Sequence, residues 1–162
     1  MLEISRFQPA DTPEAITIWN AVVDQGLAFP QLEPLDERSG CDFFSAQSYT
    51  GIARDTDSGQ AVGIYILHPN NLGRCGHICN ASYAVRGDQR GRHVGEALVS
   101  HCMATAKELG FRILQFNAVV STNYPALGLY KKLGFTQLGV IPGGFLSKDG
   151  SYQDIIPHYI TL

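Results

Sequence analysis

Val85-Arg86-Gly87-Asp88-Gln89-Arg90-Gly91-Arg92-His93-Val94-Gly95-Glu96-Ala97-Leu98 takes a run of strand character into glycine and arginine and then into a helix. Backbone N–H groups freed by glycine, together with the unpaired donors and positive end of a helix N-terminus, hold a phosphate without a metal. Arg90 and Arg92 stand beside those donors. Arginine pairs with phosphate oxygens bidentately and stays charged at any working pH. The same residues also suit an ordinary strand-to-helix loop kept in water by its arginines, so the flanking sequence has to decide between the two readings.

Before the stretch, Cys75 to Val85 reads as a strand ending at the turn. After it, a helix through Leu109 carries Val94, Leu98, Cys102 and Leu109 at helical spacing and stops at Gly110, and Phe111 to Val120 forms the next apolar strand. Strand, helix and strand in that order make a crossover unit with parallel strands and a right-handed connection. Ser121-Thr122-Asn123 then caps a second helix that runs to Leu133 and ends at Gly134. Phe135 to Val140 and Gln153 to Thr161 read as final strands joined by a long glycine-containing loop. Pro157 predicts that the last strand lies at an edge or carries a bulge.

Toward the N-terminus, Leu2 to Phe7 alternates as a first strand. Asp11 or Thr12 caps a helix with Pro13 in its first turn and an apolar face of Ala15, Ile16, Trp19, Val22 and Val23, failing near Gly26. Between Phe29 and Ser48 one short helix is readable, just after Cys41 through Asp42-Phe43-Phe44-Ser45-Ala46. Tyr49 to Arg54 and Ala61 to Leu67 form a hairpin across Asp55-Thr56-Asp57-Ser58-Gly59. The sum is a mixed α/β fold: a sheet antiparallel at its start and parallel in the middle, with helices on both faces.

Composition narrows the class. The 162 residues, 44% of them hydrophobic, suit one compact domain over 1–162. A net charge of −3 gives no overall basic field, which argues against nucleic acid as the main partner. No segment approaches the roughly 18 apolar residues of a membrane helix, and the start has no secretory apolar region, so a cytoplasmic protein with no membrane partner is expected. Cys41, Cys75, Cys79 and Cys102 are too scattered for a disulfide framework. Cys75, His77 and Cys79 alternate as if on one strand face, but the four-ligand spacing of a structural zinc is missing.

Arg90-Gly91-Arg92-His93-Val94-Gly95 after a strand, paired with Asn123-Tyr124-Pro125-Ala126-Leu127-Gly128-Leu129-Tyr130-Lys131-Lys132-Leu133-Gly134-Phe135 further on, resembles the GNAT superfamily of N-acetyltransferases. The likeness covers about Tyr83 to Phe135, and the first strand and helix fit it too. The segments Phe29 to Ser48 and Pro142 to Asp154 match nothing in it. The resemblance implies a GNAT-like fold, a central mostly antiparallel sheet with a parallel pair splayed at the CoA site and helices on both faces. It implies acetyl-CoA as co-substrate, no metal, a small-molecule amine as partner and a homodimer. Its pyrophosphate is expected on Arg90, Gly91, Arg92, His93, Val94, Gly95 and Glu96. The pantetheine arm is expected to pair with Tyr83 and Val85 like an added strand, as ligands do at an open sheet edge. Asn123 then falls near the thioester and Tyr130 is the candidate catalytic acid.

One residue departs from the pattern: His93 stands where most members carry glycine. A backbone donor survives that change, since any non-proline residue supplies an N–H. Its side chain either adds a contact to pyrophosphate or turns outward to solvent. Tyr130 lies seven residues after Asn123, about two helical turns, so both can face one side; its alternative is plain aromatic packing. Asn123 can cap the helix and bind a ligand at once. The oxyanion stabiliser is expected among the backbone N–H groups from Tyr83 to Val85. The general base is open. The strand before the glycine–arginine turn offers Asn80 and Ser82, and the strand Gln115-Phe116-Asn117-Ala118-Val119-Val120 has no acid, leaving Glu33, Asp36, Asp154 or a water chain. Phe29, Phe43, Phe44, Phe145 and Tyr152 either shape an acceptor pocket or pack.

Three functions follow: an acetyl-CoA-dependent enzyme acetylating the primary amine of a small molecule or amino-acid derivative, or a protein amine; an inactive acyl-CoA-binding module; or an unrelated phosphate-binding protein using the loop alone. The acids Glu33 to Glu37 favour a cationic acceptor.

Overall fold

The computed structural model describes residues 1–162. Eight strands form one sheet: β1 (Leu2–Arg6), β2 (Tyr49–Asp55), β3 (Ala61–Pro69), β4 (Ile78–Val85), β5 (Ile113–Val120), β6 (Thr136–Gln137), β7 (Ile141–Leu146) and β8 (Tyr152–Thr161). Their order is β1-β2-β3-β4-β5-β8-β6, with β7 also on β8. The helices are α1 (Thr12–Gln25), α2 (Glu37–Ser45), α3 (Val94–Glu108) and α4 (Tyr124–Lys132).

β3 is the spine. Its residues from Ala61 to Leu67 are all buried, which a strand needs when helices cover both faces. Ala61, Ile64 and Ile66 pack with Trp19 and Phe44 under α1 and α2. Val62, Tyr65 and Leu67 face Leu98, Cys102 and Ala106 of α3. Gly63 lets α3 approach: a Cβ there would sit 2.9 Å from side-chain atoms of Leu98 and Val94.

Every strand pairing is antiparallel except β4 with β5, and that parallel pair is short. Only Ile78↔Ile113 and Cys79↔Leu114 are in register before the strands part. Two observations account for the parting. Asn80 Nδ2 donates to the Gln115 carbonyl at 2.8 Å, so a side chain takes over where the ladder stops. Further along, β5 bulges against β8, with Asn117 and Ala118 falling in a register shift opposite Pro157. Proline has no N–H for the ladder, and a bulge bends its strand.

The irregularity expected at Pro157 is present, but it sits in β5 and not in β8, and β8 is not an edge: β5 lies on one side and β6 and β7 on the other. Other boundaries also differ from the sequence reading. α2 starts at Glu37 rather than after Cys41, because Asp36 Oδ1 accepts from Ser39 N at 2.7 Å while Ser39 Oγ accepts from Asp36 N, a capping box closed by serine. The Cys75–Val85 strand begins only at Ile78, since Gly73–Cys75 form a 3₁₀ turn. Cys75 is thus exposed on a turn while Cys79 is buried in the sheet, so Cys75, His77 and Cys79 do not share a strand face. The strand expected over Phe135 to Val140 shrinks to β6, and the expected glycine loop holds β7, paired with β8 through Phe145↔Gln153 and Leu146↔Tyr152. Gly26, in the left-handed region at φ 62°, ends α1 as read.

Leu98 is fully buried between α3 and the spine. Its replacement by Ala is expected to lower stability by about 3 kcal/mol, seen as a lower urea midpoint with an unchanged slope.

Candidate active site

The parting strands open a cleft of about 180 Å³. Asn80 to Tyr83 of β4 form one wall and Phe116 to Val120 of β5 the other, with Asn123, Ala126 and Tyr130 of α4 at one end and Ala28, Phe29 and Pro30 at the rim. The rim is held from two sides. Phe29 packs against Trp19 in a tilted arrangement with ring centroids 4.4 Å apart, and Lys148, in the β7–β8 turn, donates through Nζ to the Asp24 carbonyl at 2.8 Å.

From Asn80 to Val85, β4 has β3 as backbone partner on one side and none on the other. Buried or half-buried peptide groups without partners are costly, and an extended ligand can satisfy them. The Tyr83 side chain points away from the cleft toward α3, its ring beside Tyr65 and Phe116 and its buried hydroxyl without a partner. What Tyr83 and Val85 offer a ligand is therefore main chain.

At the open end of β4 lies the glycine–arginine turn. His93 is the N-cap of α3 and makes no side-chain capping bond, which leaves the first N–H donors of a 15-residue helix free. Val94 is buried, so it too presents backbone only. Gly91 has φ 79° with open space where a Cβ would stand, and a Cβ on Gly95 would meet Leu129 at 3.7 Å, ordinary contact with no room to spare. The arginines divide by partner. Arg86 is neutralised by a two-pronged pairing with Asp88, at 2.8 and 2.6 Å. Arg90 and Arg92 are exposed and touch only neutral amides, Gln25 Oε1 at 3.3 Å and Gln89 Oε1 at 2.6 Å. Two unpaired guanidinium groups beside an uncapped helix end fit a pyrophosphate. Glu96, in the first turn, is drawn aside by Lys132 at 2.7 Å, and that partner holds its carboxyl below the usual range.

His93 has φ 60°, and no other non-glycine residue in the chain has a positive φ. Its backbone keeps the left-handed shape that glycine adopts freely. Its side chain is 82% exposed and 3.5 Å from Glu96.

α4 presents Asn123, Ala126 and Tyr130 to the cleft. Asn123 Oδ1 accepts from Ala126 N at 3.3 Å, capping the helix and leaving its Nδ2 free for another acceptor. Tyr130 packs on Phe116 at 4.5 Å and edge-on to His158, and burial raises its phenol well above its ordinary value. It therefore stays protonated at neutral pH. The residues considered as bases lie outside the lining: Asp36 caps α2, Asp154 accepts from Gly143 N at 3.0 Å, and Glu33 is exposed in the loop before α2. Of the aromatics, Phe29 reaches the cleft, Phe43 and Phe44 pack around Trp19, Phe145 is core, and Tyr152 is exposed.

Sequence reasoning missed the amide contacts on the β5 side. Asn117 Nδ2 donates to Asn70 Oδ1 at 2.7 Å, and Gln115 Nε2 to Asn117 Oδ1 at 3.1 Å. Asn70 and Asn117 are far apart in sequence, and no local pattern announces them.

A twisted mixed sheet whose only parallel pair parts beside an uncapped helix end defines a recognisable class of α/β protein. Residues 17–135 match the Acetyltransferase (GNAT) family, and the chain belongs to that family. The structure of a GCN5-related N-acetyltransferase from Kribbella flavida superposes with a TM-score of 0.91 at 30% identity, covering 99% of this chain and 98% of that one. A putative phosphinothricin acetyltransferase of Bacillus subtilis is 25% identical over 150 residues, 90% of each chain. The N-acetyltransferase aca1 of Schizosaccharomyces pombe is 35% identical over 94 residues, 57% of this chain. The matched stretch spans 45% of that yeast protein, less than half its length. No helix of the chain is long and apolar enough to cross a membrane.

Restoring glycine at position 93 removes left-handed strain of about 1–2 kcal/mol and gives back about 0.5–1 kcal/mol of unfolded-state freedom. His93→Gly is thus expected to leave thermal stability unchanged or slightly raised. His93→Val, β-branched at positive φ, lowers it by about 1 kcal/mol or more.

Proposed function

We propose that the protein is an acetyl-CoA-dependent N-acetyltransferase that acetylates the primary amine of a small molecule or amino-acid derivative by direct attack. The observation that carries this reading is the cleft itself: unpaired β4 backbone along one wall, free arginines and helix donors at one end, and a protonated tyrosine at the other. Family membership supplies the acetyl donor, and the Bacillus relative is named for a small-molecule acceptor.

In this reading the amides from Gly91 to Glu96, with Arg90 and Arg92, hold the pyrophosphate of CoA. The β4 backbone at Tyr83 and Val85 aligns the pantetheine arm, and a β4 N–H stabilises the oxyanion as charge develops on the thioester oxygen. Asn123 Nδ2 anchors the donor near the thioester. The acceptor nitrogen bonds to the acetyl carbon as the C–S bond breaks. Tyr130 gives its hydroxyl proton to the departing sulfur, and the proton released from nitrogen restores it through water, so one proton is lost and one gained.

Tyr130→Phe is expected to lower kcat by about 10²–10⁴-fold with little change in the Kd for acetyl-CoA. Equal activity in the variant contradicts the role. Arg90→Ala is expected to weaken acetyl-CoA binding by about 10-fold or more, as the loss of a charged hydrogen bond does. An acetylated pantetheine lacking the pyrophosphate should bind the variant and the parent alike, by calorimetry.

A further inference from the structure

The cleft carries no formal charge: its fifteen lining residues include no Asp, Glu, Lys, Arg or His. What polar lining there is consists of amides and hydroxyls. Asn80 of β4 and Asn117 of β5 both line the gap, and their hydrogen bonds leave specific atoms over. Asn80 spends Nδ2 on the Gln115 carbonyl, which leaves its Oδ1 free to accept. Asn117 accepts from Gln115 and gives one N–H to Asn70, which leaves its second N–H free to donate. The opening therefore presents one spare acceptor and one spare donor on opposite walls, fixed by a chain of amides that also includes Gln115 and Asn70.

We propose that this amide collar selects the acceptor, and that the acceptor is an α-amino group next to an uncharged carbonyl: an amino-acid amide or the N-terminus of a peptide. The inference rests on the acetyltransferase reading above and names its substrate class. Asn80 Oδ1 accepts from the amine and the free N–H of Asn117 donates to the neighbouring carbonyl.

Charge excludes the alternatives. A free amino acid would bring a carboxylate that no lining cation can pair, and an unpaired charge is costly away from water. A lysine-like amine with a pKa near 10.4 is only about 0.04% neutral at pH 7, whereas an α-amine with a pKa near 7.8 is about 14% neutral, an advantage of about 300-fold. An amine that enters neutral also removes the need for an enzyme base. The nitrogen loses one proton on forming the C–N bond and the sulfur gains one when the C–S bond breaks, with Tyr130 and water between them. The absence of a carboxylate from both walls is then a property of the chemistry and not a gap in it.

The test is a set of acceptors assayed for CoA thiol release across pH: L-alaninamide, trialaninamide, free L-alanine and Nα-acetyl-lysine amide. At pH 7, kcat/KM for alaninamide or trialaninamide should exceed that for the other two by about 100-fold or more, in line with the neutral fractions. The ratio between the first two separates a small-molecule acceptor from a peptide end. The pH at which kcat/KM levels off should track the pKa of the acceptor and be unmoved in Glu33→Gln and Asp154→Asn. Asn117→Ala, at an exposed side chain, should raise KM for alaninamide by about 10-fold, the worth of one lost hydrogen bond, with the Kd for acetyl-CoA unchanged. Preference for free alanine or the lysine side chain overturns the proposal. So does a fixed inflection that vanishes in either acid variant, or acetyl-CoA binding without turnover on any of the four. Failure to bind acetyl-CoA at all overturns instead the acetyltransferase reading on which it rests.

Discussion

The hydrogen bond from Asn80 Nδ2 to the Gln115 carbonyl marks the point at which β4 and β5 stop being a ladder and become the walls of a cleft. Parallel strands normally continue pairing until one of them ends. Here two register pairs suffice to fix the crossover, and the bulge opposite Pro157 then bends β5 toward β8. The sheet stays continuous on both sides: β3 holds β4 through seven register pairs, and β8 holds β5. Neither wall can close onto the other, and the inner backbone of β4 is left unpaired.

Everything else in the site is placed by that gap. α3 begins where β4 ends, so its donors and the two unpaired arginines stand at one mouth of the cleft. α4 begins where β5 ends, and Asn123 sets its first turn so that Tyr130, two turns later, lies under the other mouth. The link between Lys132 and Glu96 ties the two helices together across the opening. The spine strand β3 carries the load from behind, buried on both faces and too close to α3 at Gly63 for any side chain.

The sequence made the crossover legible because periodicity and glycine stops are local signals: Val94, Leu98 and Cys102 on one face of α3, and Gly110 and Gly134 after the helices. Asn123 as a cap was legible for the same reason. His93 was legible as an exception, and its positive φ explains how a non-glycine residue keeps the turn. What depended on distant partners was not legible. The serine-closed cap of α2 lacks the expected Glu or Gln, the β7–β8 hairpin hides in a glycine-containing segment, and the collar joins Asn70 to Asn117 across two elements. Pro157 shows the boundary between the two: its missing N–H predicts an irregularity, but only the fold decides that the irregularity sits in the partner strand.

The central claim is that the unpaired inner backbone of β4 and the open end of α3 form one continuous seat for acetyl-CoA. Amide hydrogen exchange followed by mass spectrometry, with and without acetyl-CoA, tests it directly. The account predicts that the ligand slows exchange in peptides covering residues 80–85 and 91–97, while β1 and β2 are unaffected. Protection confined to other segments, with 80–85 exchanging at the unliganded rate, would contradict it.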